Sequence, residues 1–110
     1  AIAQMKDGVC IINCARGGVV DEAAMLAALQ SGQLGGACLD VFSEEPPPHD
    51  DPVIAAIMAR DDVVLAPHAG AASYGAMRSM SVMATQNILD CFDGKLNPDN
   101  IFNLGGLNGK

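Results

Sequence analysis

The sequence predicts an α/β fold: a parallel sheet with flanking helices, ending in a long helix. Three observations carry that reading. Short, almost wholly apolar runs recur at Val9 to Cys14, Ala37 to Leu39 and Val63 to Ala66, as strands buried on both sheet faces do. Helical spacing fills the intervals, which suits right-handed crossovers between parallel strands. A polar group follows each run: Arg16 after the first, Asp40 to Glu45 after the second, His68 after the third. In open α/β sheets ligands sit outside the carboxyl ends of the strands, so this places an arginine, a carboxylate and a histidine where a substrate would be met.

Ala1 to Met5 reads as the tail of a helix, because Ile2 and Met5 are three apart and Lys6, Asp7 and Gly8 break the pattern. Strand one runs from Val9 to Asn13 or Cys14 and ends before Gly17-Gly18. Asp21 is a good N-cap and Glu22 suits a first turn, so a helix runs from Glu22 to about Gln30, stopped by Ser31-Gly32. Strand two follows Gly35-Gly36 and ends near Val41; Glu44, Glu45 and three prolines then force an extended loop. Pro52 fits the first position of a short helix through Met58 or Ala59. Strand three is Val63 to Ala66. From Ser73 to Phe92 the residues Tyr74, Met77, Met80, Met83, Ala84, Ile88, Leu89 and Phe92 keep helical spacing until Asp93-Gly94. The tail from Leu96 to Lys110, rich in Asn and Gly, is expected to be extended or partly disordered. Three strands are few for a doubly wound sheet and leave an open edge, so a fragment of a larger protein or an assembly is expected.

Composition narrows the function. A net charge of -7 excludes a phosphate-backbone partner, so no nucleic acid is expected. No apolar run reaches the length of a membrane span and no signal peptide is visible, which reads as a soluble, cytoplasmic protein. Cys10, Cys14, Cys38 and Cys91 form no CxxC pair, so neither a metal site nor a disulfide framework is indicated; three of them fall in predicted strands, where free cysteine is expected to be a small buried hydrophobe.

Arg16, at a strand end before two glycines, can hold a carboxylate through two parallel hydrogen bonds or polarise a carbonyl; it can equally cap a strand or pair with a surface acid. His68 ends a strand among small residues, whereas His49 sits in the acidic proline-rich loop and reads as solvent-facing. Glu45 is the natural partner of His68, orienting its ring and favouring its protonated form. Asp40 interrupts an apolar run, so it meets a ligand amide or caps backbone groups. Arginine with a Glu-His pair is what reduction of a 2-oxo acid needs, and since no side chain supplies hydride, a cofactor must; nicotinamide fits the sheet type.

The stretch Ile11-Ile12-Asn13-Cys14-Ala15-Arg16-Gly17-Gly18-Val19-Val20-Asp21-Glu22 resembles the signature of the D-isomer-specific 2-hydroxyacid dehydrogenases, as do Gly36 to Phe42, Glu45-Pro46 and Pro67-His68. The resemblance implies the C-terminal half of a Rossmann-type NAD-binding domain over residues 1–94 followed by a tail over 95–110. It implies NAD as cofactor, and catalytic roles for Arg16 (substrate binding), His68 (general acid/base) and Glu45 (raising the histidine pKa). It further implies that Cys14, Ala15, Arg16, Asp40, His68 and Gly70 line the nicotinamide site, with Asp40 on the carboxamide. Within that family the wording is most similar to the D-3-phosphoglycerate dehydrogenases of serine biosynthesis, with a small 2-hydroxy acid as substrate and a homodimer as the expected assembly. Glyoxylate/hydroxypyruvate reductases and nucleotide-sensing corepressors are the alternatives. Two features depart from the pattern: Ala69-Gly70-Ala71-Ala72 replaces the Gly-Ala-Ser-Thr usual after the histidine, and the Gly-x-Gly-x-x-Gly turn is not among these residues, so the segment alone is expected to be inactive.

Overall fold

The three apolar runs form strands β1 (Val9–Asn13), β2 (Leu34–Leu39) and β3 (Val63–Leu65), all parallel and in the order β1-β2-β3. The computed structural model describes residues 1–102. They fall into two units, Ala1–Gly70 and a second beginning at Ala71. Helices α1 (Glu22–Ser31) and α2 (Pro52–Met58) belong to the first, and α3 (Tyr74–Phe92) to the second. Every strand and helix read from the sequence between Val9 and Phe92 is present, with most ends moved by no more than one or two residues.

The helices begin where their caps dictate. Asp21 accepts from Ala24 N–H at 2.8 Å, Asp51 accepts from Val53 and Ile54 N–H with Pro52 in the first turn, and Ser73 accepts from Ala76 N–H. Each such cap is worth about 1 kcal/mol. Gly32, at φ 79°, ends α1 in the left-handed conformation that favours glycine.

Because strand order advances steadily in one direction, successive right-handed crossovers carry α1 and α2 to the same sheet face. The core lies there: Met25 and Leu29 of α1 and Ile54 and Ile57 of α2 pack on Leu34, Ala37 and Leu39 of β2. Arg60 closes the far end, with Nε and Nη2 both on the Asp62 carboxylate at 2.7 Å and Nη2 also donating to the Leu29 carbonyl at 3.2 Å.

The opposite face overturns one expectation. Cys10, Ile12, Cys38 and Val64 alternate onto it, and Ile12 and Val64 are 70% and 64% exposed. Cys10, Cys14 and Cys91 are exposed and Cys38 is half-buried, so the cysteines are not small buried hydrophobes. Cys10 and Cys38 lie on the face away from both helices, and Cys14 falls just past the end of β1.

Three smaller differences concern the ends and α3. Ala1 to Met5 holds a single 3-10 turn, Ile2–Gln4, rather than the end of an α-helix. Pro98–Asn100 forms another, capped by Asn97, inside the tail expected to be extended; the rest of that tail, 103–110, lies outside the described residues. α3 keeps its predicted apolar spacing but buries none of its residues.

Candidate active site

All four polar residues singled out above stand at the carboxyl ends of the strands. They are not equally joined. The Asn13 carbonyl accepts from Asp40 N–H at 3.0 Å and the Leu39 carbonyl from Ala66 N–H at 2.9 Å, so the segments leaving the three strands are stitched side by side.

Asp40 is buried, 8% exposed, and its Oδ1 and Oδ2 accept from Ala69 N–H at 2.8 Å and Gly70 N–H at 3.1 Å. Of the two roles open to it in the sequence, capping backbone is visible directly. His68 makes that geometry possible. Its φ of 54° lies in the left-handed region, costly for a residue with a Cβ, and turns the next two amides back toward the carboxylate.

Glu45 and His68 meet at 2.6 Å between Oε2 and Nδ1. An ionised carboxylate only accepts, so Nδ1 carries the proton and Nε2 is the nitrogen left on the other side of the ring. The second oxygen, Oε1, accepts from Phe42 N–H at 3.1 Å. The hydrogen bond to His68, then that from Phe42, holds the Glu45 carboxyl below the ordinary carboxylate value. The pair is half-exposed, at 36% and 48% of side-chain surface, and borders a cavity of about 530 Å³ lined also by Phe42, Pro46, Leu65 and His49. His49, read as a solvent-facing loop residue, is exposed, and it also lines this cavity.

Arg16 is the exception. It is exposed, and its Nη1 donates to the neighbouring Ala15 carbonyl rather than to Glu45 or His68. What holds its loop is Asn13, which sequence reasoning treats only as a strand residue. The buried Asn13 amide, 5% exposed, accepts from Ala15 N–H and donates to the Arg16 carbonyl, both at 3.1 Å. The legible signal is an amide closing an apolar run three residues before the arginine. Gly17 then lies so close to the Phe42 carbonyl that any side chain would collide with it, and Glu22 accepts from Ser43 N–H at 2.7 Å. The loop carrying Arg16 is thereby locked to the segment that leads to Glu45.

In sequence and fold the chain is similar to known proteins. Residues 1–70 match the family described as D-isomer specific 2-hydroxyacid dehydrogenase, NAD binding domain. D-3-phosphoglycerate dehydrogenase of Homo sapiens is 45% identical over 93 residues, 84% of this chain and 16% of that protein. Glyoxylate/hydroxypyruvate reductase B of Citrobacter koseri is 43% identical over 94 residues, 86% of this chain and 28% of that protein. The chain therefore spans well under a third of the length of these curated relatives. Among solved structures, a glyoxylate reductase from Paecilomyes thermophila superposes with a TM-score of 0.79 at 33% identity, covering 91% of this chain and 30% of that one. The NAD-complexed D-isomer specific 2-hydroxyacid dehydrogenase of Lactobacillus delbrueckii ssp. bulgaricus gives 0.75 at 29% identity, covering 93% and 34%. Since the match takes in all of Ala1–Gly70, the unit that carries Arg16, Asp40, Glu45 and His68, this chain belongs to the D-isomer specific 2-hydroxyacid dehydrogenase family, in its NAD-binding domain.

Proposed function

We propose that this chain is part of an NAD-dependent D-2-hydroxyacid dehydrogenase acting on 3-phosphoglycerate, and that residues 1–94 contribute the nicotinamide side of its NAD-binding domain. The observation that carries the reading is the Glu45–His68 bond, which fixes the proton on Nδ1 and leaves Nε2 to exchange one with a substrate hydroxyl. In the oxidation, Nε2 takes the hydroxyl proton as the C2 hydrogen leaves with its electron pair, and Glu45 stabilises the imidazolium that forms. Arg16, without a carboxylate partner among the described residues, is free to hold the substrate carboxylate.

The residues suit the cofactor. Each Asp40 oxygen accepts one backbone N–H, and a carboxylate offers about four acceptor sites, so capacity remains for a carboxamide –NH₂. Gly70 keeps the approach open, since a Cβ there would lie 3.2 Å from Asp40 Oδ2. Cys14, Ala15 and Arg16 supply the facing backbone. Bound NAD supplies the hydride acceptor; everything else is done by these side chains.

The near-equal likeness to glyoxylate/hydroxypyruvate reductases favours a second substrate reading, reduction of a small unphosphorylated 2-oxo acid by the same residues. The test is NADH formation from D-3-phosphoglycerate, and NADH consumption with glyoxylate and hydroxypyruvate, by the full-length protein that contains this segment, beside His68→Ala. We expect phosphoglycerate turnover, lowered about 10²- to 10⁴-fold in the variant. Turnover of glyoxylate alone selects the second reading. NADH binding without turnover of any hydroxy acid overturns both and points to a sensing module.

A further inference from the structure

We propose that Asn13 is a positioning residue of this site: its buried amide sets the turn that presents Arg16 and the Cys14–Ala15 backbone to the substrate side. The inference rests on the dehydrogenase reading above. Asn13 is the last residue of β1, and three of its polar groups are spent on the segments that leave the sheet. Side-chain Oδ1 accepts from Ala15 N–H, two residues on, closing a local turn of the kind Asn side chains make; Nδ2 donates to the Arg16 carbonyl, three residues on. Its own carbonyl accepts from Asp40 N–H. One residue thus fixes the start of the arginine loop and the place of the carboxylate that caps Ala69 and Gly70.

Burial decides that this is not an incidental surface turn. At 5% exposure the amide has little water to fall back on, so a residue lacking either half leaves a backbone group unpaired and the turn free to reopen. The Arg16 side chain has no other restraint among the described residues than its bond to Ala15, which the same amide holds. An apolar residue of similar size would keep the strand and lose the turn.

The test is a mutant cycle in the full-length protein. Asn13→Asp, nearly isosteric, keeps the acceptor for Ala15 and loses the donor to Arg16; Asn13→Ala loses both. We expect kcat/KM for the 2-hydroxy acid to fall about 10²-fold in Asn13→Ala, the scale of a small displacement of a binding group, while NADH affinity changes less than about threefold. In an Arg16→Ala background the same substitution should cost almost nothing further, since its effect passes through Arg16. Hydrogen exchange of the peptide holding Ala15 should quicken in Asn13→Ala and much less in Asn13→Asp, which keeps the acceptor, a readout independent of turnover. If Asn13→Ala does not fold, Asn13→Ser, which keeps an oxygen acceptor, completes the cycle. Equal losses with and without Arg16, or unaltered exchange at Ala15 in Asn13→Ala, overturn the inference. An unaltered protein that turns over no 2-hydroxy acid overturns the functional reading instead, and the exchange measurement then still decides whether Asn13 sets the turn.

Discussion

Asp40 and Glu45 lie five residues apart on the segment leaving β2, each carboxylate accepts two hydrogen bonds, and yet the two have opposite characters. Asp40 is buried and spends both oxygens on main-chain amides, Ala69 and Gly70. Glu45 is exposed, and its shortest bond goes to a titratable ring that is itself half in solvent. A carboxylate bonded to backbone fixes shape. One bonded to imidazole fixes the position of a proton. The distinction between holding a site and working in it is therefore made by the partner and by solvent access, with the same functional group in both places.

Removing each carboxylate should separate the two characters. Glu45→Ala in the full-length protein releases the ring and the Nδ1 proton, and turnover should fall about 10²-fold while the urea midpoint falls only slightly. Unchanged turnover in steady-state assays would mean that Nε2 needs no orienting partner. Asp40→Ala should act the other way round on stability, costing about 1 to 3 kcal/mol because two amides lose their acceptor in a buried place. Asp40→Asn keeps a single carbonyl acceptor and should recover part of that loss in the same denaturation measurement. Should both Asp40 variants unfold at the unaltered midpoint, the two amides are satisfied without it.

The two carboxylates also differ in how far the amino-acid sequence alone reveals them. Asp40 is conspicuous because a charge inside Ala-Cys-Leu-Asp-Val-Phe needs a bonded partner, but the partners are amides 29 and 30 residues away and carry no side-chain signature. Glu45 and His68 are legible as a pair from chemistry alone, since few other groups at those strand ends complement an imidazole. The helix starts after Asp21 and at Pro52 are legible because an N-cap and a first-turn proline are local signals. The exposure of Cys10, Ile12 and Val64 is not, because an apolar run in a strand does not say which face the crossovers cover. That follows from strand order, a long-range property. The place of Arg16 just past the end of β1 is legible, while its bond to Ala15 depends on local geometry that spacing does not encode.

The smallest effect concerns acid. The Glu45 carboxyl titrates below its ordinary value of 4.5 in the folded chain, first because of His68 and then because of Phe42 N–H. A carboxyl whose pKa is lowered by folding stabilises the folded state fully above its unfolded value and loses that contribution as pH falls through the folded one. The difference in urea midpoint between the unaltered protein and Glu45→Gln should thus be constant from neutral pH to about pH 5.5 and shrink below about pH 4.5. Because the pair is open to solvent, the difference should be small throughout and smaller still in high salt. Asp40→Asn gives the comparison its control: its cost lies in two geometric bonds to amides, and most of it should persist at high salt, where an effect of charge alone would fade. A salt response as large as that of Glu45→Gln would show that Asp40, too, acts chiefly through its charge.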